Sequence, residues 1–469
     1  MASCVGLSPA WSQDSPPRPN IVYILADDLG WADVGFHGEA GEVPERERIR
    51  TPRLDRLAAS GARLEQFYVQ SLCSPTRTAL LTGKYPLRLG LHVGVVRPWA
   101  QYGLPLEERL LPQALRDAGY ETAIVGKWHL GHFDPAYLPT RRGFVHQYGH
   151  YNGAIDYVTH ERDGGLDWHR NDRALREEGY STHLLAQEAV RRISERDPTK
   201  PLFLYVPFNA VHAPHQVPDA YKVDYAHLPE PRRTYAGMVA ALDEAVGRIV
   251  DQIESSGITD QTLIVFHSDN GGPNPGQVTH NGKLRAGKGT LYEGGVRVPA
   301  VAAWPRHIQP GTVVNQPLHV VDWYPTLLRL AGAKVESPES RDGRDAWATI
   351  ASGQSSPHSE IVLNATPTAG AIRVGSWKLV VNGDREHREG REPGANDADR
   401  AGSSAPREER IELFDLASDP FEQTNLADRH PEQLSELRKR YQVFVKQAVA
   451  PRATSKPPGF QSPAVWGER

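Results

Sequence analysis

The strongest constraint on the fold is a pattern that recurs along most of the chain: a short apolar run stops abruptly at a polar cluster. Ile21 to Ala26 runs into Asp27-Asp28-Leu29-Gly30. Thr122 to Val125 is followed by Gly126-Lys127-Trp128-His129, Leu202 to Val206 by Asn209 and His212, and Leu263 to Phe266 by His267-Ser268-Asp269-Asn270. Short β-rich runs bounded by turn residues read as buried strands. Between them lie helical patterns, clearest in Tyr235 to Ile253, where Met238, Val239, Leu242, Val246, Ile249, Val250 and Ile253 recur at three- and four-residue spacing. Strands alternating with helices predict an α/β layer built on a mostly parallel sheet. In such sheets ligands gather outside the carboxyl ends of the strands. Every polar cluster above directly follows its strand, so all are expected to share one site.

The pattern changes near Ala331. Residues Glu336 to Ser359, rich in Ser, Gly and charge, read as a connection to a smaller unit. Ile361 to Leu363, Ala371 to Val374, Trp377 to Val381 and Ile411 to Leu416 read as short antiparallel strands, and Glu432 to Val449 as a closing helix. The expected organisation is a flexible leader over 1–19, a catalytic domain over 20–335 and a smaller C-terminal α+β unit over 336–469. A polar tract, 384–410, is expected to be a mobile hairpin loop.

Charge and cysteine content exclude several functions. The 53 basic and 57 acidic residues leave a net charge of −4, so nucleic acid is not an expected partner. A few cations focused in one cleft still permit an anionic substrate. Only Cys4 and Cys73 occur, which excludes a disulfide framework and argues against a cysteine metal site. The N-terminus lacks the basic and apolar regions of a secretory signal, and no stretch reaches the ~18 apolar residues of a membrane span. The expectation is a cytoplasmic protein with no membrane partner, or a periplasmic or secreted one if a leader has been removed.

The residue types at the strand ends suggest chemistry. Asp27, Asp28 and Asp269 with Asn270 offer three carboxylates and an amide with no Cys or His pairing. That is a hard oxygen set suited to Ca2+ or Mg2+ rather than zinc. Without a cation these carboxylates would repel one another and their pKa values would rise. Taken singly, Asp27-Asp28 also fits a helix cap with a solvated neighbour. Cys73 opens a helical stretch with Arg77 one turn on, on the same face. Considered alone, a buried inert cysteine beside a surface arginine is the commoner arrangement. Lys127, His129, His212 and Lys288 each have an ordinary explanation one at a time.

In combination they carry a resemblance. Cys73-Ser74-Pro75-Thr76-Arg77-Thr78-Ala79-Leu80-Leu81-Thr82-Gly83 resembles the signature of the sulfatase family. Gly126 to Gly131, Phe208 to His215 and Arg285 to Arg297 resemble further motifs of that family, in the same order. The resemblance covers roughly residues 18 to 335 and continues more weakly to about 445. It implies an alkaline phosphatase-like fold, with a large mixed sheet sandwiched by helices and a smaller C-terminal antiparallel sheet plus helix. It implies that a formylglycine-generating enzyme oxidises Cys73 to formylglycine on the unfolded chain. It also implies that Asp27, Asp28, Asp269 and Asn270 bind calcium together with the modified Cys73.

The remaining roles follow from the same resemblance. Arg77 holds the formylglycine, and Lys127 bridges it to the sulfate. His129 accepts a proton from the hydroxyl that does not attack, while His212 and Lys288 contact the sulfate and the leaving oxygen. The implied reaction hydrolyses a sulfate monoester, aryl or carbohydrate, through a formylglycine hydrate and a sulfoenzyme intermediate. His215 has no firm counterpart and is read as an outer residue. The stretches Tyr137 to Phe144 and Pro201 to Pro218 most resemble the arylsulfatase B branch, which removes 4-sulfate from N-acetylgalactosamine units. Two departures leave the substrate open: the branch's disulfide cysteines have no counterpart, and Ala154 stands where a serine is expected near the sulfate. The alternatives are a phosphonate monoester or phosphodiester hydrolase on the same scaffold, and a non-catalytic binding protein with unmodified Cys73.

Overall fold

A computed structural model of the chain describes residues 18–38, 43–336, 338–384 and 409–468. Most of the expected leader, with Cys4, and positions 385–408 of the expected polar loop lie outside the described residues. The main sheet has ten strands. In chain order they are β1 Asn20–Ala26, β2 Ala62–Leu64, β3 Glu121–Lys127, β4 His146–His150, β5 His169–Arg170, β6 Arg173–Ala174, β7 Leu202–Pro207, β8 Thr262–Ser268, β9 Ala300–Ala303 and β10 Thr312–Val314. Their spatial order is β10-β2-β9-β8-β1-β7-β3-β4-β5-β6. The central five, β8-β1-β7-β3-β4, are mutually parallel, while β9, β5 and β6 run antiparallel to their inner neighbours. The expected large, mixed and mostly parallel sheet is the one observed.

The apolar strand runs are continuous because both faces are covered. Within β1, Ile21, Tyr23 and Leu25 enter one core, and Val22, Ile24 and Ala26 enter the other. Among the described residues the longer helices are α1 Pro52–Ser60, α2 Cys73–Thr82, α3 Leu111–Asp117, α4 Ser181–Ser194, α5 Arg232–Ser255, α6 Trp323–Leu330 and α7 Pro431–Gln447. Helices α2, α3 and α6 lie against the first face, and α1, α4 and α5 against the second. Helix α5 contains the stretch expected from periodicity; its apolar residues Met238, Val239, Leu242, Val246, Ile249 and Ile253 are all buried. Among the described residues no helix is long and apolar enough to cross a membrane.

Four antiparallel strands, β11 Glu360–Ala365, β12 Gly370–Val374, β13 Trp377–Val381 and β14 Ile411–Asp415, form a second sheet in sequence order, with α7 packed on it. The buried Lys378 on β13 pairs with Glu293 at 2.9 Å and Glu422 at 2.8 Å. Tyr68 donates to Glu293 at 2.8 Å. These contacts tie the small sheet to the segment that follows Lys288. A charge this deep is tolerated because it is fully paired.

Candidate active site

Parallel register makes distant residues neighbours. Ala26 pairs with Ser268 across β1 and β8, so Asp27 and Asp269 leave the sheet side by side; the Asp269 N–H donates to the Ala26 carbonyl at 3.0 Å. Asp27 donates its N–H to Ala210 and accepts from Val211, which fixes it against the segment after β7. Asp28 then turns through a left-handed conformation, φ 65°, which aspartate tolerates better than most residues. Its N–H donates to Asp269 Oδ1 at 3.3 Å. Lys127 ends β3 just after Gly126, whose φ is 138°. A Cβ at Gly126 would collide with the Pro207 carbonyl, so only glycine lets β3 and β7 approach while Lys127 reaches the carboxylates.

Cys73 begins α2 and Arg77 lies one turn on. Both are buried, and Arg77 is wholly inaccessible. The Arg77 guanidinium donates to Asp269 Oδ2 at 2.8 Å and to the Lys127 carbonyl at 3.0 Å. It also lies 3.7 Å from Asp27, whose nearer cation is the Lys127 ammonium. Lys288 binds Asp28 at 2.6 Å, and His212 Nε2 stands 3.6 Å from the same carboxylate. The expected set therefore converges: Asp27, Asp28, Asp269, Asn270, Cys73, Arg77, Lys127, His212 and Lys288 are linked by direct contacts or share one cavity wall. His215 is not part of the cavity wall; its ring stands edge-on to Tyr235, near enough to Asp28 to feel that charge.

The two imidazoles are oriented by backbone. His129 Nε2 lies 3.0 Å from the Val96 carbonyl, so that nitrogen carries the proton and Nδ1 keeps its lone pair. Nδ1 is buried with no hydrogen-bond partner. His212 Nδ1 is held by the Ala213 carbonyl at 2.6 Å, which leaves Nε2 facing the carboxylates. Gly153 is required beside His129: a Cβ there would lie 2.5 Å from the imidazole ring.

Burial and charge shift the titrations strongly. Burial, then Asp269, pushes Asp27 up to about 7, although Lys127 and Arg77 oppose the rise. Burial would also raise Asp28, but Lys288 and His212 outweigh it and hold that carboxyl well below the usual range. Burial pushes the Cys73 thiol up to about 12, so an unmodified Cys73 is a poor nucleophile. Burial and the neighbouring Lys127 keep His129 neutral. Burial and Lys288 bring His212 down to about 3.

These residues fit a hard metal ion. Asp27 Oδ1 and Asn270 Oδ1 are buried acceptors that receive no hydrogen bond, an expensive condition unless a cation faces them. One ligand atom from each of Asp27, Asp28, Cys73 and His212 lies within 4.8 Å of the others. Asp269 and Asn270 border that group through Asp28.

Above this cluster opens a cavity of about 250 Å3, walled by Cys73, His129, His212 and Lys288 and by Ala154, where a serine was expected. Its wall also holds residues the sequence reading missed, Val95, Val96, Arg97 and Arg162. They sit in irregular segments or a two-residue strand, where no periodicity or strand-end position marks them.

Comparisons with known proteins agree with this geometry. The family model described as Sulfatase matches residues 19–333. Arylsulfatase J of Mus musculus is 37% identical, over 96% of this chain and 80% of its own. N-acetylgalactosamine-6-sulfatase of Mus musculus is 35% identical, over 92% of this chain and 86% of its own. Among solved structures, Ps i-CgsB in complex with k-i-k-neocarrahexaose superposes with a TM-score of 0.79 at 31% identity, covering 92% of this chain and 94% of that one. With its alkaline phosphatase-like sheet and its signature cysteine set among buried cations and carboxylates, the chain belongs to the sulfatase family, the hydrolases of sulfate esters.

Proposed function

We propose that this enzyme hydrolyses a carbohydrate sulfate monoester at Cys73 after that residue is converted to formylglycine, with calcium held by Asp27, Asp28, Asp269 and Asn270. The supporting observation is the stacking of two opposite charges in one place. Carboxylate and amide oxygens, two of them without donors, lie beneath Cys73, and Lys127, Lys288 and Arg77 surround it. An anionic ester approaching that cavity meets fixed positive charge in a site that largely excludes water. Calcium suits the all-oxygen donors better than a softer metal. When present, the ion adds positive charge against the sulfuryl oxygens, and the aldehyde hydrate supplies one hydroxyl to attack and a second to lose its proton.

The chain's own groups divide the remaining work. Arg77 and Lys127 orient position 73 and offset charge beside it. His129, with its Nε2 fixed on Val96, presents Nδ1 as the proton acceptor. His212 Nε2 faces the leaving oxygen as general acid, and Lys288 can share that task. In the free site His212 is neutral, and Lys288 is one cause. Burial is the larger cause; a sulfate seated against Lys288 offsets that cation and raises the proton affinity of His212 part of the way. A carbohydrate is preferred as leaving group because the relatives include an N-acetylgalactosamine-6-sulfatase and a structure bound to a neocarrahexaose. The maturation partner is a formylglycine-generating enzyme acting on Cys73.

The test compares 4-nitrophenyl sulfate with bis-4-nitrophenyl phosphate, using protein whose Cys73 peptide has been weighed. Conversion makes that peptide about 18 Da lighter, a thiol exchanged for an aldehyde. Sulfate turnover that rises with the converted fraction is expected. Faster turnover of the phosphate diester, or none of the sulfate by fully converted protein, would overturn the reading.

A further inference from the structure

Lys288 already stands in the cavity wall beside Cys73, yet two guanidinium-bearing residues, Arg97 and Arg162, both half-buried, line the same cavity. They come from segments 65 residues apart in sequence (162 − 97) that share no strand pairing. Both segments are fastened by the stretch that follows α7. The Arg97 guanidinium lies 5.9 Å from the Trp99 ring, and Trp99 Nε1 donates to the Thr454 carbonyl at 3.1 Å. Trp99 also meets Phe460 edge-on, and Phe460 stacks on Trp466. The buried Trp466 donates its Nε1 to the Arg162 carbonyl at 2.8 Å, and its backbone N–H to the Leu166 carbonyl at 2.9 Å. An aromatic chain, Trp99-Phe460-Trp466, thus holds both arginine-bearing segments at fixed positions.

Arg162 pairs with its exposed neighbour Asp163 at 3.2 Å, and a hydroxyl-bearing sugar leaving group gives no reason to set a second guanidinium in the same cavity. An oxyanion does, because a guanidinium offers a planar fork that matches carboxylate or sulfate oxygens. We infer that Arg97 and Arg162 form a second anion subsite, so that the preferred substrates carry another negative group, carboxylate or sulfate, beyond the ester that is cleaved. The segment around 454–466 pre-organises that subsite, which lowers the ordering cost of binding. This inference rests on the sulfatase reading above and specifies its substrate class.

The test measures kcat/KM on three classes of N-acetylgalactosamine substrate, with sulfate at the 4- or 6-position: the monosulfated sugar, the 4,6-disulfated sugar, and the monosulfated sugar linked to a uronate. The fully converted wild-type enzyme should favour at least one two-anion class over the one-anion sugar by about tenfold or more, mostly through KM. Preference for the disulfated sugar assigns sulfate as the second group, and preference for the uronate assigns carboxylate. Arg97→Gln with Arg162→Gln should lower that ratio about tenfold, and added salt should erode it in the wild type. A wild-type ratio near one, or a ratio unchanged in an active double variant, overturns the subsite alone. Failure of the fully converted wild type to cleave any of the sulfates overturns the subsite and the function together.

Discussion

Asp27 offers a quantitative test of the metal site. Its carboxyl moves from an ordinary 3.8 to about 7 because burial and Asp269 disfavour its charge. The metal-free folded protein therefore holds this proton more tightly than the unfolded chain does. Its contribution to stability is fully present below about pH 4 and is lost as the pH rises through about 7. A shift of about three units corresponds to about 4 kcal/mol. With an unfolding entropy of about 2.1 cal/mol/K per residue, a chain this long loses about 4 °C of Tm for that amount. Asp28, shifted downward, titrates below this window. The assay compares thermal unfolding of wild type and Asp27→Asn in chelator between pH 5 and 8. The variant cannot titrate there, so the difference between the two isolates Asp27. Between pH 5 and 8 only about two of the three units are crossed, so it should grow by about 3 °C against the wild type as the pH rises, and excess calcium should raise wild-type Tm most at pH 8. A difference that stays flat in chelator, or no calcium effect at pH 8, would refute the reasoning.

Arg77→Ala leaves Asp269 without its 2.8 Å partner in a fully buried setting, and loss of about 3–5 kcal/mol is expected by denaturant unfolding; a near-neutral result would mean water reaches the site. His212→Ala should slow turnover about a hundredfold or more. The loss should be greater for an alkyl or sugar sulfate than for 4-nitrophenyl sulfate, whose leaving group needs no proton; equal losses would remove His212 from the acid role. Cys73→Ser keeps one hydroxyl but cannot supply a second, so it should accept sulfate once and stall. Intact mass would reveal the sulfated serine, and rapid repeated turnover would contradict the assignment.

Much of this was legible because burial on both faces writes strands as unbroken apolar runs. Ile21 to Ala26, Thr122 to Val125, Leu202 to Val206 and Leu263 to Phe266 all fall inside observed strands, and the polar residues after them meet because the strands are parallel. The small-sheet strands were equally visible, Trp377 to Val381 matching its observed bounds. Strand β4, His146–His150, was not: His-Gln-Tyr-Gly-His has no apolar period, and its polar side chains are buried through contacts such as His146 with Glu188 at 2.7 Å. The antiparallel β9 escaped as well, since Ala300 to Ala303 reads as helix as readily as strand. The rest of the cavity wall was hidden for a different reason. Arg97 and Arg162 owe their positions to Trp99, Phe460 and Trp466, contacts made across more than 300 residues of chain.

The complete enclosure of Arg77, with Cys73 beside it at the start of α2, sets a deadline on the proposed maturation. If Cys73 is oxidised as proposed, an enzyme that must grip Arg77 can do so only before the sheet and α2 have assembled. On that proposal conversion and folding race, and their relative rates decide the active fraction. A core substitution that delays folding without unfolding the product should yield fewer molecules, each more often competent.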